Sequence, residues 1–508
     1  MESATLTRLR SGPVWLVRLR AVRASTWAKA GFVALCAAAL LGFFLFPTYP
    51  TYDSYYALIW GRDILHLHLP DFQVYRAPTE HPLAIAFGVA MSAFGHIGDR
   101  LMILGAIGSL VALVAGLYRL GRLTFGPVVG AVAVALLLTR FDYDYLAAQG
   151  YLDFSYMALV VWAGALEAAR PRRGTIVFVL LGLAGLLRPE GWLLSGVYFL
   201  WCSWKADWPT RARYLALTVA PALLWAGLDT VVTGNPTYSL HSTTGLAEDL
   251  GRTKGISTLP TSTWSFLQRL DKLPLVLGAI AGVFIALILV PRRMPVPFAL
   301  LVSGILAFVL LGVSGASVID RYLLTPAVLV MLFGAVAIGG WSLLEPGSLL
   351  RRVWIVAAIA LVGYGVASAY RTLSVTGIRY DLAFRNHTHL SLEKVLNDPV
   401  VRHDLATCGP LSLPNHKLAP DARWILDEGP QDVIARSEAR ADASVGDYTL
   451  EHRISRGVAI YPLGDAVFTQ AIVDLDDNAL DQVPKPGFTR LFSDQYYAVY
   501  VNCPRTAG

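Results

Sequence analysis

The sequence predicts a mainly α protein: a polytopic membrane helical bundle of about eleven spans, followed by a C-terminal extracytoplasmic α/β domain. Three observations carry this prediction. Hydrophobic residues make up 55% of the 508 and charged residues only 15%, against about a quarter in soluble domains, and the mean hydropathy is +0.52. Apolar segments recur along the first 370 residues, with arginines gathered at alternate links between them. From about Arg371 acids, histidines, asparagines and prolines return and apolar runs shorten. The net charge of +6 comes from those link arginines, so it reads as membrane topology and no nucleic-acid partner is expected.

The chain opens on Arg8, Arg10, Arg18, Arg20 and Arg23, followed by an apolar run over 30–46 with no small-residue cleavage site before Tyr49. This pattern predicts a retained signal anchor. Further apolar segments lie at 100–118, 127–139, 152–168, 174–187, 191–204, 214–233, 273–290, 297–313, 322–344 and 353–370. A full span takes about 20 apolar residues; the segments at 127–139, 174–187 and 191–204 are shorter and cross with the help of snorkelling arginines.

If every segment crosses once from a cytoplasmic N-terminus, one side holds Arg119/Arg122, Arg170/Arg172/Arg173, Lys205/Arg211/Arg213, Arg292/Arg293 and Arg351/Arg352. The other side holds Asp53, Glu80, Asp142, Asp144, Glu248 and Asp249. That partition follows the positive-inside rule. It makes Arg188-Pro189-Glu190 a hairpin tip, and it leaves 54–65 and 82–94 as helices lying along the surface within the first outer loop (47–99).

The predicted domains are therefore 1–370, in the membrane, and 371–508, outside it. The tail is expected to carry a helix near 390–397 and strands near 457–462 and 496–502. The segments Leu411–His416 and Ala422–Trp424 read as strand and turn, with a carbohydrate-binding cleft as the alternative. Cys408 and Cys503 bracket most of the tail, and an extracytoplasmic location makes a disulfide between them the expectation. Cys36 and Cys202 lie in apolar runs and are expected to be inert.

Acids are seldom kept beside hydrocarbon without a use. Here Asp53 and Glu80, Asp142 and Asp144 with Asp153 at a helix entrance, Arg188 with Glu190, and Asp320-Arg321-Tyr322 all fall on one predicted side. A pocket facing the outer leaflet accounts for them together. His66 and His68 alternate at the end of a surface helix without further ligands, so no metal site is read there.

These residues resemble a known family. Tyr52-Asp53-Ser54-Tyr55-Tyr56 after the first span, then Glu80-His81-Pro82-Leu83 opening a surface helix, is similar to the C-type glycosyltransferases. Within that superfamily it looks most like the protein O-mannosyltransferase and lipid A aminoarabinose transferase group. Phe94-Gly95, Arg100 and the run Tyr118-Arg119-Leu120-Gly121-Arg122 through Phe125-Gly126 fit the same pattern, as does Arg321-Tyr322 ahead of Pro326. The resemblance covers roughly residues 30–340. Three departures stand out: Ser54 replaces a frequent second acid, Leu83 replaces a proline, and the tail matches no pattern of the group.

The resemblance implies an integral-membrane enzyme of the plasma membrane. It would take a sugar from a polyprenyl-phosphate donor and pass it to an extracytoplasmic glycan, lipid or protein acceptor by an inverting displacement. A guanidinium neutralises the leaving lipid phosphate with paired donors, which points to Arg321 and then Arg188. The acceptor hydroxyl needs a base, which points to Asp53, with Glu80 orienting the acceptor or sharing that role. Tyr55, Tyr56 and Tyr322 are candidates to stack on sugar, and His81, Asp142, Asp144 and Glu190 are weaker substrate contacts. No cofactor is expected to be required, with a Mg or Mn ion as the alternative. Two other readings are a multi-span transporter or lipid-linked-glycan flippase, which would place its ionisable groups near the bilayer midplane and often repeat its halves, and a membrane-anchored binding protein working through its tail.

Overall fold

The computed structural model describes residues 24–252, 255–372, 375–464 and 483–503. The first described helix, α1 (Ala24–Leu45), is a unit by itself. Apart from Ser25, Thr26 and Lys29 its 22 residues are small or apolar, and at about 1.5 Å rise per residue they are long enough to cross a bilayer. From Phe46 onward the described chain forms a second compact unit.

In that unit α2 (Tyr52–Leu65) and α3 (Pro82–Ser92) precede α4 (Gly98–Phe125), α5 (Pro127–Leu138), α6 (Phe141–Ala148), α7 (Asp153–Ala169), α8 (Thr175–Gly185), α9 (Glu190–Ser203) and α10 (Trp208–Thr233). There follow α11 (Tyr238–Asp249), α12 (Leu259–Asp271), α13 (Leu273–Leu289), α14 (Pro295–Val313), α15 (Leu324–Gly339) and α16 (Leu349–Thr372). Each of the eleven predicted apolar segments coincides with one of these helices. Six described helices are long and apolar enough to cross a membrane, and the chain is a multi-pass membrane protein. A seventh such element is α12–α13 taken as one, bent by 105° at the break, where Lys272 takes φ 64°.

The bundle is assembled on close helix contacts made through glycine, as membrane helices commonly are. A Cβ at Gly88 would lie 1.9 Å from the Ala57 carbonyl oxygen, so α2 and α3 touch backbone to backbone. At Gly282 of α13 the same test meets the Phe333 oxygen of α15 at 1.9 Å. Every residue of α15 from Leu324 to Val336 is buried, so this uniformly apolar helix is the axis of the bundle. Large apolar side chains of α10, α13, α14 and α16 remain exposed, among them Leu223, Phe284, Val302 and Val356; in a membrane protein this is the lipid-facing surface. The turn between α8 and α9 is tight, since a Cβ at Gly191 would meet the Gly185 nitrogen at 2.5 Å.

The tail opens with α17 (Val375–Leu396), much longer than the helix expected near 390–397, and α18 (Pro399–Thr407), which Asp398 caps by accepting from the Val400 and Val401 amides. A five-stranded sheet follows with strands β1 (Leu411–Leu413), β2 (Val433–Ala435), β3 (Gly457–Pro462), β4 (Thr489–Ser493) and β5 (Tyr497–Asn502) in the order β2-β1-β3-β5-β4. β1 pairs in parallel with β2 and β3, whereas β3–β5 and β4–β5 are antiparallel. Helices α19 (Ala419–Leu426) and α20 (Arg436–Ser444) follow β1 and β2. Ala422–Trp424 therefore belongs to a helix, not to a turn. Leu392, Val395, Leu411, Leu413, Val458, Ile460 and Val499 build the core, and a Cys408–Cys503 disulfide joins the end of α18 to the end of β5.

The tail is seated on the α2 region. Arg62 of α2 pairs with Asp427 at 2.6 Å and lies over the Trp424 ring. Arg385 of α17 donates to the Tyr49 and Pro50 carbonyls, 2.9 Å each, and covers the Tyr49 ring at 3.6 Å. His389 also stacks on the Tyr49 ring, with ring centroids 4.8 Å apart.

Candidate active site

Three chain segments bring charge to one place. The first is the opening turn of α2, where Thr51 is the N-cap and Asp53 lies one residue inside the helix, a position that favours a negative side chain. The second is the entrance of α7 at Asp153 together with the α8–α9 turn that carries Arg188. The third is the 3₁₀ turn Asp320–Leu323 ahead of α15. Ser54, which stands where the resembled family often has a second acid, donates to the Gly150 carbonyl at 2.7 Å. It ties the Asp53 turn to the loop that leads into Asp153.

Arg321 Nη2 lies 3.0 Å from Asp53 Oδ2, and Arg321 Nε lies 3.7 Å from Asp153 Oδ2. Arg188 bonds Asp153 Oδ1 through Nη2 and reaches Glu190 Oε1 at 3.3 Å through Nη1. Two guanidinium groups thus share three carboxylates, with Asp153 between them. Aromatic faces hold the cations in place: Arg188 lies 4.9 Å from the Tyr322 ring centroid and Arg321 5.3 Å from that of Tyr151, arrangements that favour a cation. Burial, the largest single influence, would raise the Asp53 carboxyl, but Arg321 and the other groups around it, Arg188 among them, together outweigh burial and leave Asp53 below its ordinary value. Burial would likewise lower the Arg321 guanidinium, but Asp53 together with Tyr151 and Tyr322 holds it above its ordinary value.

All of these groups except Asp153 line a cavity of about 1300 Å³, above the usual range for small-ligand pockets. Asp53, His81, Asp142, Arg188, Glu190, Arg321 and Tyr322 all line it. So do Arg252, Arg269 and Lys272, which no motif in the sequence marks. A second cavity of about 320 Å³ lies toward the tail and also has Asp53 and Arg321 in its wall. His81 is pushed down to about 3, chiefly by burial and then by Arg188 and Arg321. It meets the site as a neutral imidazole, able to donate one hydrogen bond and accept another.

The structure places the remaining sequence-predicted residues elsewhere. Glu80 is 1% exposed and lines neither cavity. It faces Ser239 and Asp229, and burial pushes its carboxyl up to about 8, which favours the protonated form at neutral pH. Tyr56 is fully buried with Trp60, Phe72 and Ile85, so it packs the core and does not stack on a ligand. Tyr55 is buried too, but on the wall of the second cavity. Asp144 lies outside the large cavity, its carboxyl pushed up to about 7 by burial, whereas Asp142 lines it and pairs with Arg140 at 2.6 Å. Asp153, visible in the sequence only as an acid at a helix entrance, proves to be the shared counter-ion of both arginines. Among the described residues no three His, Cys, Asp or Glu side chains gather as a metal-holding set.

With this geometry in view, the fold finds its counterparts. Over 95% of this chain and 99% of the other, the structure matches ArnT from Cupriavidus metallidurans bound to undecaprenyl phosphate, with a TM-score of 0.56 and 13% identity. At this identity the likeness is one of fold. The oligosaccharyltransferase of Archaeoglobus fulgidus is also similar, with a TM-score of 0.54 and 11% identity over 94% of this chain and 75% of that one. A structure of the same archaeal enzyme, AglB, in complex with an inhibitory peptide and a dolichol-phosphate aligns with a TM-score of 0.52 and 12% identity, over 94% of this chain and 74% of that one. No family model and no curated protein matches the sequence.

Proposed function

We propose that this chain is an integral-membrane glycosyltransferase that moves a sugar from a polyprenyl phosphate to an acceptor hydroxyl outside the cytoplasm. The observation that carries the reading is the Asp53–Arg321 contact of 3.0 Å on the wall of a 1300 Å³ cavity. A base and a phosphate-binding cation are held side by side there, in space large enough for a lipid-linked donor. The likeness to ArnT, whose structure holds undecaprenyl phosphate, supports the same donor class.

In this reading Arg321 and Arg188 take the charge of the donor phosphate. The acceptor O–H gives its proton to the Asp53 carboxylate as its oxygen bonds to the anomeric carbon, and the bond from that carbon to the phosphate oxygen breaks. Polyprenyl phosphate leaves with its negative charge held by the guanidinium groups, and the anomeric centre is inverted. Because Asp53 lies below its ordinary value, it is ionised and ready to accept at neutral pH. Glu80, protonated and behind the wall, supports the packing around Ser239 instead of sharing the base role.

The same reading assigns about eleven crossings, with the N-terminus in the cytoplasm and both the site and the tail outside the plasma membrane, as the positive-inside partition of arginines supports. Asp53→Asn tests the chemistry: transfer from polyprenyl-phosphate sugars drops by about 10²–10⁴-fold, while binding of undecaprenyl phosphate persists. Wild-type turnover in that variant removes the base assignment. Cysteines introduced at Asp142, exposed in α6, and in the 171–173 loop test the topology, since labelling by an impermeant reagent is expected at the first position alone.

A further inference from the structure

We infer that the end of the bundle opposite the cavity holds an anionic phospholipid of the leaflet there, in a site built by the α7–α8 and α9–α10 links. The inference does not depend on the transferase reading. Helices α7 and α9 start at the candidate active site, at Asp153 and Glu190, and run away from it for 17 and 14 residues, about 25 and 21 Å. At their far ends stand Arg170, Arg172 and Arg173 in one link, and Lys205, Arg211 and Arg213 in the other link and the first turn of α10. Contacts between helices merge the two into one surface. Arg172 lies 4.6 Å from the centroid of the Trp201 ring of α9. Gly174 abuts the hydroxyl of Tyr214 of α10 with no room for a Cβ. Arg213 lies over the Tyr214 ring at 5.3 Å and Arg211 over the Trp208 ring at 5.5 Å.

Membrane topology alone asks only for positive charge on this side, on side chains free to move. Here a buried carboxylate shapes the turn that carries the charge. Glu167, 6% exposed, accepts from the Arg172 and Arg173 amides at 2.7 and 3.2 Å, from the Tyr198 hydroxyl at 2.8 Å and from the Trp201 indole at 2.9 Å. Four bonds take up its acceptor capacity, and they hold Arg172 at φ 57°, a sparsely populated conformation for a residue with a Cβ. The cations placed in this way lack acids of their own. On the side of the active site Arg62, Arg140, Arg188, Arg269 and Arg321 each pair with a carboxylate. Among the described residues no carboxylate pairs with the guanidinium of Arg170, Arg172, Arg173, Arg211 or Arg213. Against these cations the links 170–174 and 203–214 contain one acid, Asp207. Helices α8 and α10 both begin at this surface and add their positive ends to it.

The neighbouring apolar surface identifies the anion as a lipid. Val197, Leu200, Trp201 and Trp204 are exposed along α9 at intervals of three and four residues, so a stripe leads from the cations toward the middle of the bundle. Trp204 is 80% and Trp208 78% exposed, as suits indoles at headgroup level. A phospholipid fits both parts, its phosphate among the guanidinium groups and an acyl chain along the stripe. Helices α8 and α9, with 11 and 14 residues, are also shorter than a hydrocarbon core of about 30 Å, so headgroups are drawn inward at this point.

The test measures binding of phosphatidylglycerol and phosphatidylcholine to the full-length protein in detergent by native mass spectrometry. The wild type is expected to bind phosphatidylglycerol at least about tenfold more tightly than phosphatidylcholine. Arg172→Gln combined with Arg173→Gln weakens phosphatidylglycerol binding by about fivefold per cation removed. Arg211→Gln combined with Arg213→Gln acts in the same direction and keeps the test decisive should the first pair fail to fold. Arg292→Gln combined with Arg293→Gln removes equal charge from the exposed α13–α14 link at the same end of the bundle, and leaves binding unchanged. Equal binding of the two lipids, wild-type binding in both patch variants, or an equal loss in the Arg292/Arg293 variant overturns the inference. So does displacement of the lipid by inorganic phosphate or a soluble acidic peptide at equal concentration, which would make this a site for a free anion or a protein.

Discussion

Replacing Arg321 by glutamine separates a guanidinium that works on the phosphate and the base together from one that merely neutralises buried acids. At 3.0 Å from Asp53, its gross Coulomb attraction is about 5–6 kcal/mol at an effective dielectric of about 20. Breaking a largely buried pair by removing one partner has a net cost of about 3–5 kcal/mol. Loss of the phosphate contact adds about 10²–10³-fold in rate. The sign of the pH effect is the sharper readout. In the wild type Asp53 lies below its ordinary value because Arg321 and the other groups around it together outweigh burial, so transfer is flat on the alkaline side of that value. Without Arg321 burial becomes the dominant influence and raises the carboxyl. Residual activity of Arg321→Gln then climbs with pH, as the base loses its proton. Arg321→Lys restores charge but not the fork, and recovers the flat profile with only part of the rate. Single-turnover transfer from a polyprenyl-phosphate sugar measures both. A glutamine variant with wild-type rate and an unchanged profile refutes the reasoning.

Three further outcomes follow from the structure. Glu80 is raised to about 8 from 4.5, so the folded protein keeps a proton that the unfolded chain releases between those values, and stability falls as pH rises through that window. Glu80→Gln removes the penalty: its melting temperature matches the wild type near pH 4.5 and exceeds it at pH 8, by a free energy of at most about 5 kcal/mol. Gly88→Ala forces a Cβ against the Ala57 oxygen and destabilises by about 2 kcal/mol or more, read as lost thermal stability in detergent. Alkylation of the denatured, unreduced protein labels Cys36 and Cys202 alone, and Cys503→Ser lowers stability by about 2–5 kcal/mol; four reactive thiols before reduction would contradict the bridge.

What could be read from the sequence was whatever leaves a periodic or compositional trace. Long apolar runs such as 297–313 became helices because the hydrocarbon length dictates their extent, and β3 and β5 announced themselves as short apolar runs in a polar tail. Pairings across the chain left no such trace. Nothing near Asp153 indicates that it will sit between Arg188 and Arg321, and nothing near Arg62 names Asp427 as its partner. Glu80 and Asp53 look alike as acids of one loop, yet Asp53 lines a cavity and Glu80 faces Ser239. Tyr55 and Tyr56 diverge because adjacent residues on a helix lie about 100° apart. The three-residue strands β1 and β2 are too short to show alternation, so their parallel pairing went unseen.

Arg385 grips the two carbonyls immediately ahead of Thr51, and those residues set where α2 begins. The tail is thus coupled like a lever to the first turn of that helix. Any tilt of the tail is transmitted within four residues to Asp53. The seating of the tail and readiness of the carboxylate are in this way mechanically linked, so severing the tail would misplace the base.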